Sequence, residues 1–450
     1  MPSMIAPLRR PVFRRMVASQ FAAESGDGVT LVALPLYVFE RTNSALATSL
    51  TFTAELVGGV VLGVVGGVLA DALDRRRVLM ISAAIRGLLL MAAFAVEPIA
   101  LAVGFGVLAR AMGSVDNPSF DALVPGQAEG DLQQVLAVRR LIQAVSITVG
   151  PALGAVAVEL VGARSAILLN AAAFAISFSL MATLPGLDKG LSARRASRAG
   201  HTVGEQFGEM LGGMSVVATT RGVRRLVTYN VFVMATVAAV MGAAVIWYEV
   251  DLDVSGSWFG LAIAAYGVGA AVGMGAFGGV HFKLPLPLIV LCATPIYAFS
   301  SAIGVLFEAP WLLPLGWLIW GIALGPELVL GEVTIVSNVP EEKLGRAFAG
   351  IGVGTTLGMA AGYAVVGPAL EAYGAKPTIL VTSVLVFVLG MSWIGPAIDV
   401  RRAGSDSFWV LPEHDGTVPG TTVSGTTVSG EAASLDGTDD VAQSGGATSS

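Results

Sequence analysis

The feature that most constrains this chain is its succession of apolar stretches, mostly roughly 18 to 28 residues long, separated by short clusters of charge. A bilayer's hydrocarbon core is about 30 Å thick, and a helix rising 1.5 Å per residue needs about 20 residues to cross it. Only 13% of the 450 residues are charged, 54% are apolar, and the mean hydropathy of +0.76 lies outside what a water-soluble domain of this length shows. The chain reads as a polytopic, all-α membrane protein.

Twelve crossings are predicted, at residues 14–39, 45–70, 78–97, 99–122, 133–160, 164–184, 223–248, 256–280, 286–307, 311–337, 347–370 and 377–398. Long unbroken apolar runs exclude a membrane β-barrel, whose strands alternate in polarity over short segments. The first span begins too far into the chain and runs too long for a cleaved signal peptide, so it is expected to be retained. Cys292 is the single cysteine and lies within a span, while His201, His281 and His414 fall outside the spans. Disulfides, metal sites and cofactors are therefore not expected.

Lysine and arginine near span ends set orientation. The odd-numbered loops hold only Arg41, Arg164 and Lys376, whereas the even-numbered loops with the span ends beside them and the termini hold 21 basic residues, Arg139 and Arg140 among them. Both termini are expected to be cytoplasmic. An arginine excess over lysine, with abundant Ala, Gly and Val, fits a GC-rich bacterium and hence its inner membrane.

The chain repeats itself at a nearly constant offset. "FRRMVASQF" at 13 matches "VRRLVTYNV" at 223; Gly67 pairs with Gly275, and Gly113 and Pro118 with Gly321 and Pro326. "SITVGPALG", with Ser146, Gly150 and Gly154, matches "GTTLGMAAG", with Gly354, Gly358 and Gly362, and "GARSAILL" at 162 matches "GAKPTILV" at 374. Matches so widely separated imply a duplicated unit. The expected organisation is an N-terminal six-helix bundle (1–184), a cytoplasmic linker (185–222), a C-terminal six-helix bundle (223–398) and a tail (399–450). Val203, Phe207, Met210, Leu211, Met214 and Val217 share a helical face in the linker, predicting a helix along the membrane surface. The Gly/Ser/Thr-rich tail has few apolar anchors and is expected to be disordered.

The loop after the second span, "GGVLADALDRRRVL", resembles the signature loop of the major facilitator superfamily, Gly-x-Leu-Ala-Asp-Arg-x-Gly-Arg-Arg, through Gly67, Leu69, Ala70, Asp71, Arg75 and Arg76. Ala72 and Asp74 depart from it. "SITVGPALGA" is similar to the family's antiporter motif, with Ser146 and Ala155 in place of two glycines. Together with "SGDGVTLVALPLYVFE" and "EEKLGRAFAG", the chain resembles the drug:proton antiporter subgroup that includes macrolide and tetracycline efflux pumps and siderophore exporters. The resemblance implies two pseudo-symmetric six-helix bundles with a substrate site near the midplane where they meet. It also implies that Asp71 caps the start of the eleventh span, here near Ala347, and latches the inward mouth shut.

Each motif has a plainer reading. Arg75 to Arg77 can serve topology alone, although topology does not account for the glycine and aspartate spacing; Arg75 and Arg76 are also expected to pair with Asp121 at the end of the fourth span. Small residues every fourth position, as at Gly150 and Gly154 with Pro151 between them, let helices approach closely, and a tight outward seal is the alternative role.

Charges inside the spans carry more information, since each costs roughly 2.5–3.5 kcal/mol at the bilayer centre on insertion scales. Near the midplane lie Glu24, Asp27, Glu55 and Glu327 with a single base, Arg110; Asp116 and Glu332 lie nearer the cytoplasm, and Arg86 is within snorkelling reach of the surface. Glu24 and Asp27 share a helix face, so they resist ionising together. That suits Asp27, assisted by Glu24, to take up a proton on one side and release it on the other. The alternative is a buried pair, or carboxylates bonded to loosened backbone or to Arg110. The second half lacks counterparts: Asp27, Glu55 and Arg110 map onto apolar residues there. Charges demanded by the fold would recur, so their one-sidedness favours a working role.

These readings converge on a proton-coupled exporter of small amphipathic or cationic organic molecules, working by alternating access as a monomer in the bilayer, with substrate and protons as partners and no nucleic acid. Dedicated export of a siderophore or other natural product, or uptake by symport, are the alternatives. An enzyme at this depth would need a nucleophile with its base, or metal ligands, and no nucleotide-binding glycine loop is present.

Overall fold

The computed structural model describes residues 6–72, 74–128, 132–184, 221–277, 285–339 and 341–403, with isolated positions between 208 and 218; the side chains of 65–72, 221–222, 277, 341–342 and 400–403 are outside that description. The predicted linker helix, the C-terminal tail and the loop positions Gly67 and Asp71 therefore fall outside the described residues or side chains.

The spans are helices at Pro11–Thr42, Ala45–Ala72, Arg75–Ala95, Ile99–Ala111 continued by Gly113–Asp121, Leu132–Val161, Ala163–Ala182, Arg221–Ile246, Ser257–Phe277, Leu286–Phe307, Leu312–Asn338, Glu341–Tyr373 and Ala375–Met391. Among the described residues, eleven helices are long and apolar enough to cross a bilayer. The first, at 32 residues, has the length, but Glu24 and Asp27 dilute its apolar run. Asp74 starts the third span by accepting a hydrogen bond from the Arg77 amide at 3.2 Å. The sixth and twelfth spans both start after a glycine with left-handed backbone, Gly162 at φ +80° and Gly374 at φ +79°, conformations that a side chain would strain.

Four boundaries differ from expectation. The fourth span is interrupted at Met112, the seventh continues into a π-helical turn at Trp247–Asp251, the eleventh begins at Glu341 rather than near Ala347, and a short helix, Ile394–Ala403, runs past 398. The polar start of the eleventh span, "EEKLGR", lacks the apolar signal by which sequence marks a span, so the helix extends beyond its apolar run.

Within the first half, the first span packs on the fifth and sixth, the third on the fourth and sixth, and the second on the fourth. Within the second half, the seventh packs on the eleventh and twelfth, the ninth on the tenth and twelfth, and the eighth on the tenth. The second set is the first advanced by six, so two pseudo-symmetric six-helix bundles are seen directly.

The halves meet through the second span on the eleventh and the fifth on the eighth. Phe52 stacks on Tyr363 with ring centroids 4.5 Å apart, and a Cβ on Gly260 would lie 2.8 Å from the Pro151 carbonyl. These contacts lie towards the arginine-poor end of the bundle, where residues 43, 162, 253 and 374 turn the chain. Towards the opposite, arginine-rich end, a Cβ at Gly345 or Gly352 of the eleventh span would meet nothing within 4 Å. Among the described residues, these contacts between the halves lie towards one end, and the eleventh span has open space beside Gly345 and Gly352 towards the other.

Candidate functional site: a buried charge network in the first half

Arg86 is the hub. Its guanidinium is 1% exposed and bridges two carboxylates, Asp27 and Asp116, each at 2.6 Å. Its Nε donates to the Ala109 carbonyl at 2.7 Å, and the cation lies 4.2 Å from the centre of the Phe174 ring. The break at Met112 makes room for this: it falls within a turn of Ala109, and a Cβ on Gly113 would lie 3.4 Å from the guanidinium. Sequence placed Arg86 as a snorkelling residue. The structure corrects that, because a polar pocket built from the broken fourth span satisfies the charge where it stands.

Arg110 forms the second node. It donates through Nε to Glu55 at 2.6 Å and through Nη1 to the backbone carbonyl of Asp27 at 2.6 Å, tying the second span to the first. Its partner is therefore Glu55 and not the Asp27 carboxylate. Glu55 Oε1 is buried without a hydrogen-bond partner among the described residues.

Glu24 belongs to a third node. Arg139 holds it at 2.9 Å and holds Asp121 at 2.7 Å, and Gln20 links Glu24 to Asn117. Four expectations change here. Arg139 was counted among surface basics, yet its side chain is 5% exposed. Asp121 pairs with Arg139, while Arg75 donates to the Ala122 carbonyl and Arg76 to those of Met181 and Ala182. Likewise, Glu24 and Asp27 do not form one carboxylate pair, since each faces its own arginine. The count of one base against four midplane acids also changes: Arg86, Arg110 and Arg139 meet Glu24, Asp27, Glu55 and Asp116.

The antiporter-motif glycines sit against this network. A Cβ on Gly150 would lie 2.6 Å from the Ser25 carbonyl, one on Gly154 3.0 Å from Val29 Cα, and Pro151 Cδ lies 2.6 Å from where a Cβ on Gly28 would be. The fifth span thus rests backbone to backbone on residues 25–29, which brackets Asp27. In the second half Gly358 and Gly362 press on Val231 and Ala235 in the same manner, with no charge between.

Glu327 is the exception in the second half. It is 4% exposed, accepts a 2.8 Å hydrogen bond from the Tyr297 hydroxyl, and has no ion pair among the described residues. Tyr297 lies against Trp320, which also meets Tyr266 and Trp317.

The repeat packing and intramembrane charges are those of a transporter, and the family model for the Major Facilitator Superfamily matches residues 16–363. The chain belongs to that superfamily: it is a multi-pass membrane transporter of small molecules and not an enzyme. Its relatives include the Multidrug efflux pump Tap of Mycobacterium tuberculosis, 27% identical over 403 residues, covering 85% of this chain and 92% of that protein. Tap of Mycolicibacterium fortuitum is 23% identical over 384 residues, covering 82% and 91%. Among solved structures, the nucleoside transporter NupG superposes with a TM-score of 0.68 at 13% identity, over 85% of this chain and 98% of that one. The human organic anion transporter MFSD10 gives 0.58 at 16%, over 85% and 100%. These last two speak for the fold alone.

Proposed function

We propose that the chain is a proton-coupled exporter of amphipathic or cationic organic compounds, working by alternating access in a bacterial cell membrane with the arginine-rich end in the cytoplasm. Export of several drugs is supported by the similarity to the Tap pumps, and the orientation by the positive-inside rule. In that orientation this state is open to the cytoplasm.

The observation that carries the coupling is the sharing of Arg86 by two carboxylates. With both ionised the triad holds one net negative charge, and one proton makes it neutral. Asp27, with 27% of its side chain exposed against 12% for Asp116, is the more accessible member, and so the proton site. Asp116 takes the assisting role first given to Glu24. Arg110 carries the change onward, since it grips Asp27's own carbonyl and Glu55. Glu327, set among aromatic rings without a cation of its own, is suited to a substrate's positive charge. The Asp71 latch is retained as a proposal for the opposite state, in which the cytoplasmic ends close.

Transport of a dye and drug panel into everted vesicles under an imposed pH gradient tests the reading. Asp27→Asn is expected to bind substrate but to lose gradient-driven transport. Unchanged transport in that variant removes Asp27 from the coupling, and a wild-type chain that moves no compound and no protons ends the antiporter proposal.

A further inference from the structure

At the arginine-poor end, where the halves touch, the polar contacts come in duplicate. Glu159, at the end of the fifth span, accepts hydrogen bonds from the hydroxyls of Ser255 at 2.7 Å and Ser257 at 3.1 Å, at the start of the eighth span. Glu371, at the end of the eleventh span, accepts from the Ser44 hydroxyl at 2.9 Å and lies 3.4 Å from the Leu46 amide, at the start of the second. In both cases a glutamate ending a helix of one half holds the first residues of a helix of the other.

The two contacts are related by the internal repeat. Glu159 and Glu371 stand three residues before Gly162 and Gly374, the glycines that turn the chain in both halves with almost the same φ. Ser44 and Ser255 both follow a left-handed non-glycine turn, Asn43 at φ +48° and, two residues before Ser255, Asp253 at φ +53°. The repeat that discarded the midplane charges has kept this arrangement twice.

We propose that Glu159 and Glu371 are the two arms of an outer latch, which hold the transporter closed towards the outside and let go together when it opens that way. Each bond crosses between halves that must separate at this end in the alternating cycle, so each favours one state only. The arms act on a single equilibrium, so their contributions multiply. A hydrogen bond of this kind is worth about a five-fold shift, and two such arms are worth about thirty-fold. The proposal rests on alternating access but not on proton coupling.

The test uses the full purified chain in lipid nanodiscs, with Cys292→Ala removing the exposed native thiol and spin labels at Leu160→Cys and Phe307→Cys, two exposed positions at this end in opposite halves. Distances are read by pulsed electron resonance without substrate or pH gradient, so the outcome is independent of the proton site. Glu159→Ala and Glu371→Ala are each expected to lower the ratio of short to long distances by about five-fold, and the double variant by about thirty-fold. Glu97→Ala, which removes another rim carboxylate paired with Arg164 inside one half, is expected to leave the distribution unchanged. An unchanged distribution in the folded double variant overturns the latch, and so does an equal shift in Glu97→Ala, which would mean that any lost rim charge suffices.

Discussion

The arginine-poor rim and the buried centre have treated the same duplication in opposite ways. At the rim, Glu97 pairs with Arg164 and Glu308 with Lys376, each in its own half, while Glu159 and Glu371 reach across. In the centre, the Asp27–Arg86–Asp116 and Arg110–Glu55 clusters exist once. Both halves need the rim to close symmetrically, whereas a proton needs only one place to bind. The backbone contacts beneath show that the fold does not require the central charges: Gly358 and Gly362 pack on the seventh span as Gly150 and Gly154 pack on the first, with apolar residues where Asp27 would be. The difference separates what the architecture imposes from what the work adds.

The largest effect is expected at Arg86. Arg86→Ala leaves the buried Asp116 and the half-buried Asp27 without their cation, a loss of about 3–5 kcal/mol, and is expected to reduce the amount of folded protein recovered. Arg86→Lys is the sharper variant. Lysine keeps the charge but lacks the planar fork that reaches two carboxylates and a carbonyl together. It is expected to fold, by size-exclusion thermal melting, and to lose gradient-driven transport in everted vesicles; full transport would show that a positive charge alone suffices and that the bridging geometry is incidental.

Gly150→Val ranks next. Its branches have no room beside the Ser25 carbonyl, 2.6 Å from an added Cβ, so the first and fifth spans must move apart, at about 1–3 kcal/mol. A lowered melting temperature together with weaker transport is expected. The same change at Gly358, in the half without the charge network, is expected to cost similar stability and less coupling, measured as protons released per substrate moved. Equal loss of coupling at both would erase the distinction between the halves.

Glu327→Gln tests the one buried acid on the other side of the comparison. Cationic dyes are expected to lose affinity about ten-fold, in line with the loss of one charged contact, while neutral amphiphiles keep theirs. Equal affinity for both, read by fluorescence titration, would place the substrate's charge elsewhere.

Much of the fold was legible in the sequence because span length and the repeat are imposed by the bilayer and by duplication. Glu24 and Asp27 were visible as breaks in an apolar run. Their partners were not. Arg86 lies close enough to a span end to look like a snorkelling residue, and only the break at Met112, with Gly113 beside it, shows that a polar pocket receives it. Arg139 stands next to Arg140 and reads as half of a surface pair, although the two point in different directions on the fifth span and only Arg139 turns inward to Glu24. The rim carried a signal that was there to read, Glu159 with Glu371 and Glu97 with Glu308 at the repeat offset. Carboxylates at span ends look like ordinary solvated charges until the second copy is aligned.

The smallest effect is expected from the rim pairs that stay within one half, and it completes the comparison. Lys376 bonds to Glu308 and holds its carboxyl below the usual glutamate range. A lowered folded value stabilises above the unfolded value near 4.3 and loses that contribution as pH falls through the folded one. Glu308→Gln is therefore expected to lower the melting temperature slightly at pH 7, with the difference from wild type vanishing as the pH approaches 3. Transport should be untouched, because a contact present whichever way the halves face cannot bias them. A transport defect in Glu308→Gln without a melting change would mean that the ninth and twelfth spans shift against each other during the cycle, and the duplicated rim would then be a moving part within each half as well as between them.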